Sequence, residues 1–435
     1  MNLFGTQEII GNMLHIGGVS LKDLAEKYGT PLYVMDEKEI RNKAKIFREG
    51  FVHPIIQTEV IYASKAFMTK AMARLIHEEG LSLDVVSGGE LYTALSAGFP
   101  GEKIFFHGNN KSEEEIAFAI EKGVGTIIVD NRDEMDRILR KLETLDRVQS
   151  VILRVNPGIE AHTHEYISTT KNDSKFGVSL FSHETIDLLR DMDESERLDF
   201  KGLHCHIGSQ IFEEESFEKA AKMMVKYMVR LRDEGINIKE LNLGGGFGVQ
   251  YVTEDSPMDY QVFLPGILEK IMSLSTEHKL IPPKILIEPG RALVANAGIT
   301  IYKVGGTKKT FSGKNYVFVD GSMADHIRTA LYDASYTAHL AERMNEKAGL
   351  NYTITGKACE SGDIIIKNIS LPEPKTGDLM AVLSTGAYHY SMASNYNRLT
   401  KPAVVFVMNG QSRTVVKRET YEDLIRNDVE EEYET

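Results

Sequence analysis

Eight short apolar segments alternate with helical patterns between residues 60 and 287, and this alternation limits the possible folds more than any other feature. The apolar segments predict strands at 60–63, 83–86, 104–106, 126–129, 151–155, 203–207, 241–243 and 285–287. Helical patterns lie between most of them, at 68–79, 89–97, 113–122, 133–142, 183–190, 216–233 and 259–277. Buried strands that alternate with helices are typical of a parallel sheet, and eight of them predict a closed (β/α)8 TIM-like barrel.

After about Arg291 the alternation stops and strand patterns dominate. They lie at 299–304, 316–319, 352–355, 363–366, 379–383, 404–408 and 413–417, and glycine-centred turns separate several of them. A chain of 435 residues also exceeds what one hydrophobic core usually supports. We therefore predict the class α/β + β, with N-terminal strands at 1–35 that join the β-domain, a barrel at 36–291 and a C-terminal all-β domain at 292–435.

Two stretches are predicted to be irregular. Polar residues at 156–177 follow the fifth barrel strand, and a loop of this length in a compact domain is usually a functional lid or a mobile segment. The acidic residues at 428–435 are expected to fray.

Composition excludes several classes of protein. The formal charge of -13 argues against nucleic-acid or anionic-membrane partners, because both require a basic surface. Two cysteines, Cys205 and Cys359, rule out a disulfide scaffold and favour a reducing cytoplasm. The first residues lack the pattern of a secretory signal, and no apolar run approaches the ~20 residues that span a bilayer. We expect a cytoplasmic protein.

Lys65 stands where the first predicted barrel strand ends and the next helix begins. In barrels of this kind the carboxyl ends of the strands carry the active site. A lysine amine in an enclosed apolar site is costly to keep charged, and the neutral amine is a nucleophile toward carbonyl groups. Taken alone, a lysine that extends to solvent after a core strand is the commoner explanation. The residues at the other predicted strand ends favour an active-site lysine instead.

Polar and glycine-rich segments accompany most of the other predicted strands, and most of them would face one mouth of the barrel. They are Asp84 at the second strand, Arg154 in the fifth, His204-Cys205-His206-Ile207-Gly208-Ser209 at the sixth, Gly244-Gly245-Gly246-Phe247-Gly248 after the seventh and Glu288-Pro289-Gly290-Arg291 after the eighth. Barrels commonly hold a phosphate at turns after the seventh and eighth strands, because glycines let backbone N–H groups approach an anion. A tight turn without a ligand is the alternative.

A phosphate site, an amine nucleophile and an acid in one barrel mouth suggest pyridoxal 5'-phosphate as the cofactor. Lys65 would condense with its aldehyde, and Glu288 would hydrogen-bond the pyridine nitrogen and keep it protonated. His206 would lie flat against the ring. Ser209 and the backbone of Gly245 and Gly246 would receive the phosphate.

A metal site is the rival explanation for the two histidines. On a strand, His204 and His206 point to one face while Cys205 points to the other, so the motif supplies two ligands rather than three. No acidic cluster on neighbouring strand ends obviously completes the set. We therefore predict no metal, and we predict that Cys205 is a buried apolar residue.

The predicted β-domain carries two further motifs. Cys359 and Glu360 lie in a polar turn between two strands, where a cysteine beside acids and glycines is a candidate proton donor, although an incidental loop thiol is the simpler explanation. Arg328 and Tyr332 are four residues apart on one face of a predicted helix at 325–332, which could equally be solvated. Tyr388 ends another strand pattern.

The chain resembles the diaminopimelate decarboxylases, within the alanine-racemase-like (fold type III) class of pyridoxal phosphate enzymes. The resemblance covers nearly the full length, because separated motifs occur in the family's order. They run from Gly17-Gly18-Val19 through Met392-Ala393-Ser394-Asn395-Tyr396-Asn397 to Glu419-Thr420-Tyr421-Glu422-Asp423.

The resemblance implies a carboxy-lyase that forms L-lysine and CO2 from meso-2,6-diaminopimelate, the last step of lysine biosynthesis. It also implies a homodimer with shared active sites, in which Cys359 and Glu360 serve the partner's site. The implied catalytic residues are Lys65 and Cys359. The implied cofactor-binding residues are Lys65, Asp84, His206, Ser209, Gly245, Gly246, Glu288, Gly290, Arg291 and Tyr388, and the implied substrate-binding residues are Arg291, Arg328, Tyr332, Glu360 and Tyr388.

The side-chain chemistry agrees with this substrate. Two arginines suit the second carboxylate of diaminopimelate, and Glu360 suits its second ammonium. The chain departs from the family at Ala324, where asparagine is usual, and at Thr329, where proline is common. Decarboxylases of carrier-bound glutamate, arginine or ornithine share parts of the pattern, and a racemase of the same fold is a further alternative.

Overall fold

The structure is a computed structural model that describes residues 2–159 and 174–429. The chain divides into two compact units. The barrel unit comprises residues 41–249 and 255–293, and the β unit comprises residues 1–40, 250–254 and 294–435. The middle of the predicted loop at 156–177 and most of the predicted frayed tail lie outside the described residues.

Strands occur throughout both units. In chain order they are β1 Glu8–Ile10, β2 Met13–Ile16, β3 Val19–Ser20, β4 Leu32–Asp36, β5 Thr58–Ala63, β6 Ser82–Val85, β7 Ile104–Phe106, β8 Thr126–Val129, β9 Gln149–Asn156, β10 Val178–Ser179, β11 Leu198–His204, β12 Glu240–Asn242, β13 Lys284–Ile287, β14 Gly298–Lys309, β15 Asn315–Val319, β16 Ala338–Leu340, β17 Leu350–Thr355, β18 Ile364–Leu371, β19 Leu379–Leu383, β20 Ala403–Met408 and β21 Gln411–Val416.

The helices are concentrated in the barrel unit. In chain order they are α1 Leu21–Tyr28, α2 Glu37–Gly50, α3 Lys70–Glu78, α4 Gly88–Ser96, α5 Glu113–Glu121, α6 Arg132–Leu145, α7 His183–Glu194, α8 Glu214–Asp233, α9 Tyr260–Glu277, α10 Arg291–Val294, α11 Arg328–Tyr332 and α12 Tyr421–Ile425. No helix among the described residues has both the length and the apolar character that crossing a membrane requires.

The barrel unit is a closed ring of eight parallel strands. The hydrogen-bonded order is β5, β6, β7, β8, β9, β11, β12 and β13, and β13 pairs with β5 to close the ring. The strands are short and almost wholly buried, as expected where a sheet is covered on both faces. Side chains from five of the strands, including Ile61, Ile128 and Leu286, form one buried cluster. The predicted (β/α)8 barrel is confirmed.

At the carboxyl ends of the barrel strands, capping residues begin the helices that follow. The hydroxyl of Thr69 accepts the backbone N–H of Met72 at the start of α3, and Ser112 forms a capping box with Glu115 at the start of α5. Such caps satisfy N–H groups that the first helical turn leaves without a partner. The chain therefore turns abruptly from strand to helix, which leaves the carboxyl ends of the strands accessible to side chains of the connecting loops.

The β unit is built around a mixed sheet in the order β18, β17, β15, β14, β4, β20 and β21, with β19 pairing both β14 and β16. Strand β4 lies between β14 and β20 and is parallel to β20, which builds the N-terminal lead into this sheet. Strands β1 to β3 form a separate antiparallel sheet. Leu32, Ile301 and Val405 belong to one apolar core. The predicted all-β region that includes the N-terminal lead is confirmed.

Three details differ from the sequence predictions. The sixth barrel strand runs from Leu198 to His204 rather than over 203–207, so His206 lies in the loop after it. Asp84 lies within β6 rather than at its start. The helix expected at 325–332 spans only Arg328–Tyr332.

Candidate active site

Lys65 lies in a single 3-10 turn, Ser64–Ala66, directly after β5. Its Nζ is 3.2 Å from Oδ2 of Asp84, whose side chain is wholly buried, whereas the lysine side chain is 40% exposed. The amine thus lies beside a carboxylate on a partly exposed side chain, and the enclosed setting considered for Lys65 from the sequence stays a prediction. The second oxygen of Asp84 has no hydrogen-bond partner among the described residues.

Glu90 holds the segment around Lys65. Its Oε2 accepts hydrogen bonds from the hydroxyl of Ser64 at 3.0 Å and from the backbone N–H of Val86 at 2.8 Å. Burial raises the pKa of Glu90, and the nearby charge of Asp84 adds to that rise. The glutamate thus ties the residue before Lys65 to the loop that follows β6.

Glu288 follows β13 and contacts polar side chains from three other strand ends. Oε1 accepts from Nδ2 of Asn242 at 2.7 Å and lies 2.8 Å from Nε2 of His107, and Oε2 is 3.1 Å from Nε2 of His204. Burial opposes ionisation of Glu288, but the two histidines hold its pKa well below the usual value. Burial also lowers the pKa of His204 to about 4, so this imidazole is neutral. A carboxylate has about four acceptor positions, which leaves capacity for one more donor.

His206 is held by the glycine turn after β12. The backbone N–H of Gly245 donates to Nδ1 of His206 at 3.1 Å. Burial, together with the charges of Lys65 and Arg154, lowers the pKa of His206 well below its usual value. From the sequence, the N–H of Gly245 was assigned to phosphate binding, but in this structure it donates to the imidazole of His206. This hydrogen bond fixes the ring with Nδ1 as the acceptor.

Glycine is required in this turn. Gly246 has φ +105°, and a Cβ on it would lie 2.5 Å from the carbonyl oxygen of Gly208. A Cβ on Gly245 would collide with the carbonyl oxygen of Glu288. The loops after β11, β12 and β13 are therefore in direct backbone contact, which only residues without side chains permit.

The guanidinium of Arg291 completes this end of the barrel. Its Nη2 donates to the hydroxyl of Ser209 at 3.0 Å. Gly290 packs against the end of β5, because a Cβ on it would lie 2.9 Å from Cβ of Ala63. A cation and a hydroxyl therefore lie beside the glycine turn, where an anionic group can be bound.

These residues fit pyridoxal phosphate. The barrel end offers an amine for the aldehyde, a buried carboxylate for the pyridine nitrogen and an arginine–serine pair beside a glycine turn for the phosphate. The buried and unsatisfied oxygen of Asp84, next to Lys65, is a further acceptor in the same place.

A second grouping involves the same carboxylate. His107, His204 and Glu288 each offer one ligand atom, and these three atoms lie within 4.8 Å of one another. Atoms at this separation can hold a metal ion. From the sequence, His204 and His206 were the candidate ligand pair, but β11 ends at His204, and His206 is held by Gly245. The absence of a metal stays a prediction.

Cys205 has the setting expected of a core residue. It is fully buried, and burial raises the pKa of its thiol to about 12. Its backbone N–H donates to the carbonyl of Asn242. The thiol therefore stays protonated at neutral pH.

In the β unit, Arg328, Tyr332 and Tyr388 come together. The guanidinium carbon of Arg328 lies 4.9 Å from the ring centroid of Tyr332 and 5.3 Å from that of Tyr388. Arg328 is only 7% exposed, so the solvated face considered from the sequence is wrong for this residue.

Cys359 and Glu360 lie in the loop between β17 and β18, and both are exposed. The backbone of the loop is fixed, because the N–H of Cys359 donates to Oδ1 of Asn397 at 2.6 Å and the N–H of Ala358 donates to Oδ2 of Asp363 at 2.7 Å. Hydrogen bonds from Gly362 and Ser361 lower the pKa of Glu360. Two side chains with free access to solvent thus sit on an ordered backbone.

Several residues of these groups were not indicated by the sequence analysis. His107 directly follows β7 and Asn242 ends β12, so their strand-end positions were the available signal. Glu90 and Asn397 carry no such signal, because their contacts depend on how distant segments pack.

Known proteins share both the sequence and the fold. Residues 37–295 match the family model described as the pyridoxal binding domain of pyridoxal-dependent decarboxylases. The diaminopimelate decarboxylase of Bacillus subtilis is 50% identical over 96% of this chain and 95% of its own length, and that of Staphylococcus aureus is 48% identical over 95% and 97%. The crystal structure of the M. jannaschii enzyme with L-lysine has a TM-score of 0.92 and 35% identity and covers 98% of both chains.

The barrel and its strand-end groups therefore define a pyridoxal phosphate-dependent decarboxylase. Within this class the chain belongs to the diaminopimelate decarboxylase family. The predictions of family, of carboxy-lyase activity in lysine biosynthesis and of the cofactor are confirmed.

Proposed function

We propose that this chain converts meso-2,6-diaminopimelate to L-lysine and CO2, with the residue roles given below. The observation that supports this most directly is the meeting of an amine, a buried ionised carboxylate and an arginine–serine pair at the strand ends of one barrel. The M. jannaschii and Helicobacter pylori relatives were crystallised with L-lysine, which is the product of this reaction.

Bound pyridoxal phosphate supplies an electron sink for the pair left behind when the bond to the carboxylate breaks. We assign Lys65 to covalent attachment of the cofactor, His206 to contact with its ring and Glu288 to its pyridine nitrogen. Since Glu288 is held ionised by its buried donors, it keeps a proton on that nitrogen. Asp84 lies beside the amine of Lys65 and orients it.

The remaining barrel residues are assigned to the phosphate. Ser209, Arg291 and the turn residues Gly246 and Gly290 lie on adjoining loops. Gly245 and Tyr388 keep the cofactor-binding role that the family resemblance implies, and the N–H of Gly245 would leave His206 to take it up. Backbone N–H groups and a guanidinium suit a dianion.

Substrate recognition and protonation are assigned to the β unit. Arg328, supported by Tyr332 and Tyr388, binds the carboxylate that remains in the product. Arg291 of the barrel unit keeps the substrate-binding role that the family resemblance implies. Glu360 binds the distal ammonium. Cys359 then gives a proton to the carbon that has lost CO2.

We propose that the enzyme is a homodimer, in which Cys359 and Glu360 complete the active site of the partner subunit. Both side chains are exposed on an ordered loop, so a partner can cover them without rearranging the backbone. The cytoplasmic location stays a prediction from the sequence.

The test is an assay of the purified protein with pyridoxal phosphate and a panel of amino acids. We expect CO2 and L-lysine from meso-diaminopimelate, and at least 100-fold lower kcat/KM for ornithine, arginine and L-lysine, because these lack the distal carboxylate. Lys65→Ala should remove the visible absorbance of lysine-bound cofactor and abolish turnover.

Two results would contradict the proposal. Comparable CO2 release from ornithine would assign a different substrate to the same chemistry. An unchanged absorbance band in Lys65→Ala would show that another amine holds the cofactor.

A further inference from the structure

Arg328 is a buried cation that no carboxylate of the described residues neutralises. Its guanidinium contacts the rings of Tyr332 and Tyr388 and donates one hydrogen bond, from Nε to the hydroxyl of Tyr336 at 2.9 Å. Because an uncompensated buried charge is costly, this arrangement points to an anionic ligand for the arginine.

The bond to Tyr336 decides which edge of Arg328 is available. A guanidinium has five N–H donors, one on Nε and four on the two terminal nitrogens. With Nε engaged by Tyr336, the edge formed by the two terminal nitrogens remains for a carboxylate, which it can bind through two parallel hydrogen bonds. Tyr336 also prevents the planar group from rotating about its long side chain.

Tyr336 is itself rigidly packed. It is 4% exposed, and its ring contacts Tyr251, His326 and His389 edge-on at centroid distances of 5.2, 4.6 and 5.2 Å. Burial and the nearby charge of Arg328 lower the pKa of His326 to about 3, so this imidazole adds no positive charge beside the arginine. The tyrosine hydroxyl therefore has one position, set by three aromatic neighbours.

We infer that Tyr336 is a positioning residue that makes Arg328 selective for a substrate with a second carboxylate. The inference rests on the proposed function, because it takes the distal carboxylate of diaminopimelate as the ligand of Arg328. Tyr336 contacts Arg328 and aromatic rings of the same unit, and we give it no part in the chemical step. Its loss should therefore weaken recognition of the distal carboxylate and leave the chemical step unchanged.

Binding of two ligands distinguishes a positioning role of Tyr336 from a general structural role. L-lysine keeps the carboxylate that was distal in diaminopimelate, whereas 1,5-diaminopentane has the same two amines and no carboxylate. A loosened Arg328 should weaken binding of the first and not of the second. Damage to the fold or to the cofactor site would weaken both.

The experiment compares Tyr336→Phe with the holoenzyme and with Tyr302→Phe. The hydroxyl of Tyr302, a buried tyrosine of the same unit, bonds Oδ1 of Asp325 and not Arg328. In Tyr336→Phe we expect KM for meso-diaminopimelate and the inhibition constant of L-lysine to rise about tenfold, the scale of one hydrogen bond to a charged group. We expect kcat and the inhibition constant of 1,5-diaminopentane to stay within about twofold. Tyr302→Phe should change none of these constants.

A second pair of variants keeps the test independent of stability. In an Arg328→Lys background there is no Nε–H, so adding Tyr336→Phe should have no further effect on L-lysine binding. An equal rise for L-lysine and 1,5-diaminopentane, or a lower kcat at unchanged KM, would overturn the inference. If the wild-type enzyme releases no CO2 from meso-diaminopimelate, the proposed function fails instead, and that result is obtained before any variant is made.

Discussion

The two units hold their cysteines in opposite settings. Cys205 follows β11 in the barrel unit, is wholly buried and has a thiol pKa raised to about 12. Cys359 lies between β17 and β18 in the β unit, and its side chain is exposed on a backbone fixed by Asn397. A thiol that donates a proton must be within reach of the substrate, which burial in a core prevents. The difference shows that burial, rather than residue type, separates a packing cysteine from a candidate acid.

The same contrast extends to the charged groups around them. The barrel end keeps Glu288, His204 and Asp84 buried and in fixed contacts, which suits a permanently bound cofactor. The Cys359–Glu360 loop fixes only its backbone. Groups that meet the substrate once per turnover are thus placed where a ligand and a proton can reach them.

The largest expected effect is a difference in kcat between variants of the two cysteines. Cys359→Ala should lower kcat by about 100-fold or more, the usual contribution of a positioned proton donor, while cofactor affinity is retained. Cys205→Ala should leave kcat within about twofold and lower the free energy of unfolding by about 1 kcal/mol, because it leaves a small cavity. Steady-state kinetics, cofactor titration and urea unfolding measure the three quantities. Equal losses of turnover and cofactor binding in Cys359→Ala would count against a donor role.

A smaller effect is expected from the buried histidine that holds Glu288. His204→Leu removes a donor to Oε2, so the carboxylate should ionise less readily and keep the pyridine nitrogen protonated less well. We expect kcat to fall about 10- to 30-fold, with weaker cofactor binding by absorbance titration.

His204→Gln tests the cause, because an amide can replace the lost donor. It should recover part of kcat. His339→Leu is the matched control, since burial lowers the pKa of His339 also to about 4, and this residue lies in β16 of the other unit. If both leucine variants lose activity equally, buried imidazoles support stability in general and the contact with Glu288 has no special role.

Much of the barrel could be predicted from its sequence. Strands β7 and β8 match their predicted bounds at both ends, because fully buried strands read as continuous apolar runs between turn residues. The predicted strand at 203–207 begins later in the chain than β11 does. The first half of β11 alternates buried residues with the half-exposed Asp199 and Lys201, so it lacks a continuous apolar run. Those two side chains point to the same face of the strand and pair with each other.

The candidate site was predictable only where position along the chain carries the information. Lys65, the glycine turn and Glu288 directly follow strands, so the barrel itself indicates that they converge. The burial of Arg328 and its bond to Tyr336 depend on packing within the β unit, and the sequence allowed a solvated face equally well. Residues that position others are the hardest to find, because their partners are distant in sequence.

The smallest expected effect concerns the pH dependence of stability and extends the comparison to a buried histidine of the β unit. Neither ring nitrogen of His326 has a hydrogen-bond partner within the described part of the chain, and its folded pKa of about 3 lies below the value of about 6.5 in an unfolded chain. The unfolded state therefore binds more protons between these values, and His326 costs stability as pH falls. Its contribution is on the order of 1 kcal/mol less favourable at pH 6 than at pH 8.

His326→Phe should remove this increment. Between pH 8 and pH 6, the free energy of unfolding of the variant should fall by on the order of 1 kcal/mol less than that of the wild type. The neighbouring Asp325 acts in the opposite direction, because its pKa is raised to about 7 and its contribution to stability is lost as pH rises through that value. The comparison between variant and wild type cancels this term, since both keep Asp325. Urea unfolding at the two pH values measures the increment. An increment that is the same in both proteins would mean that His326 takes up its proton while folded, and that the cluster around Tyr336 carries a positive charge beside Arg328.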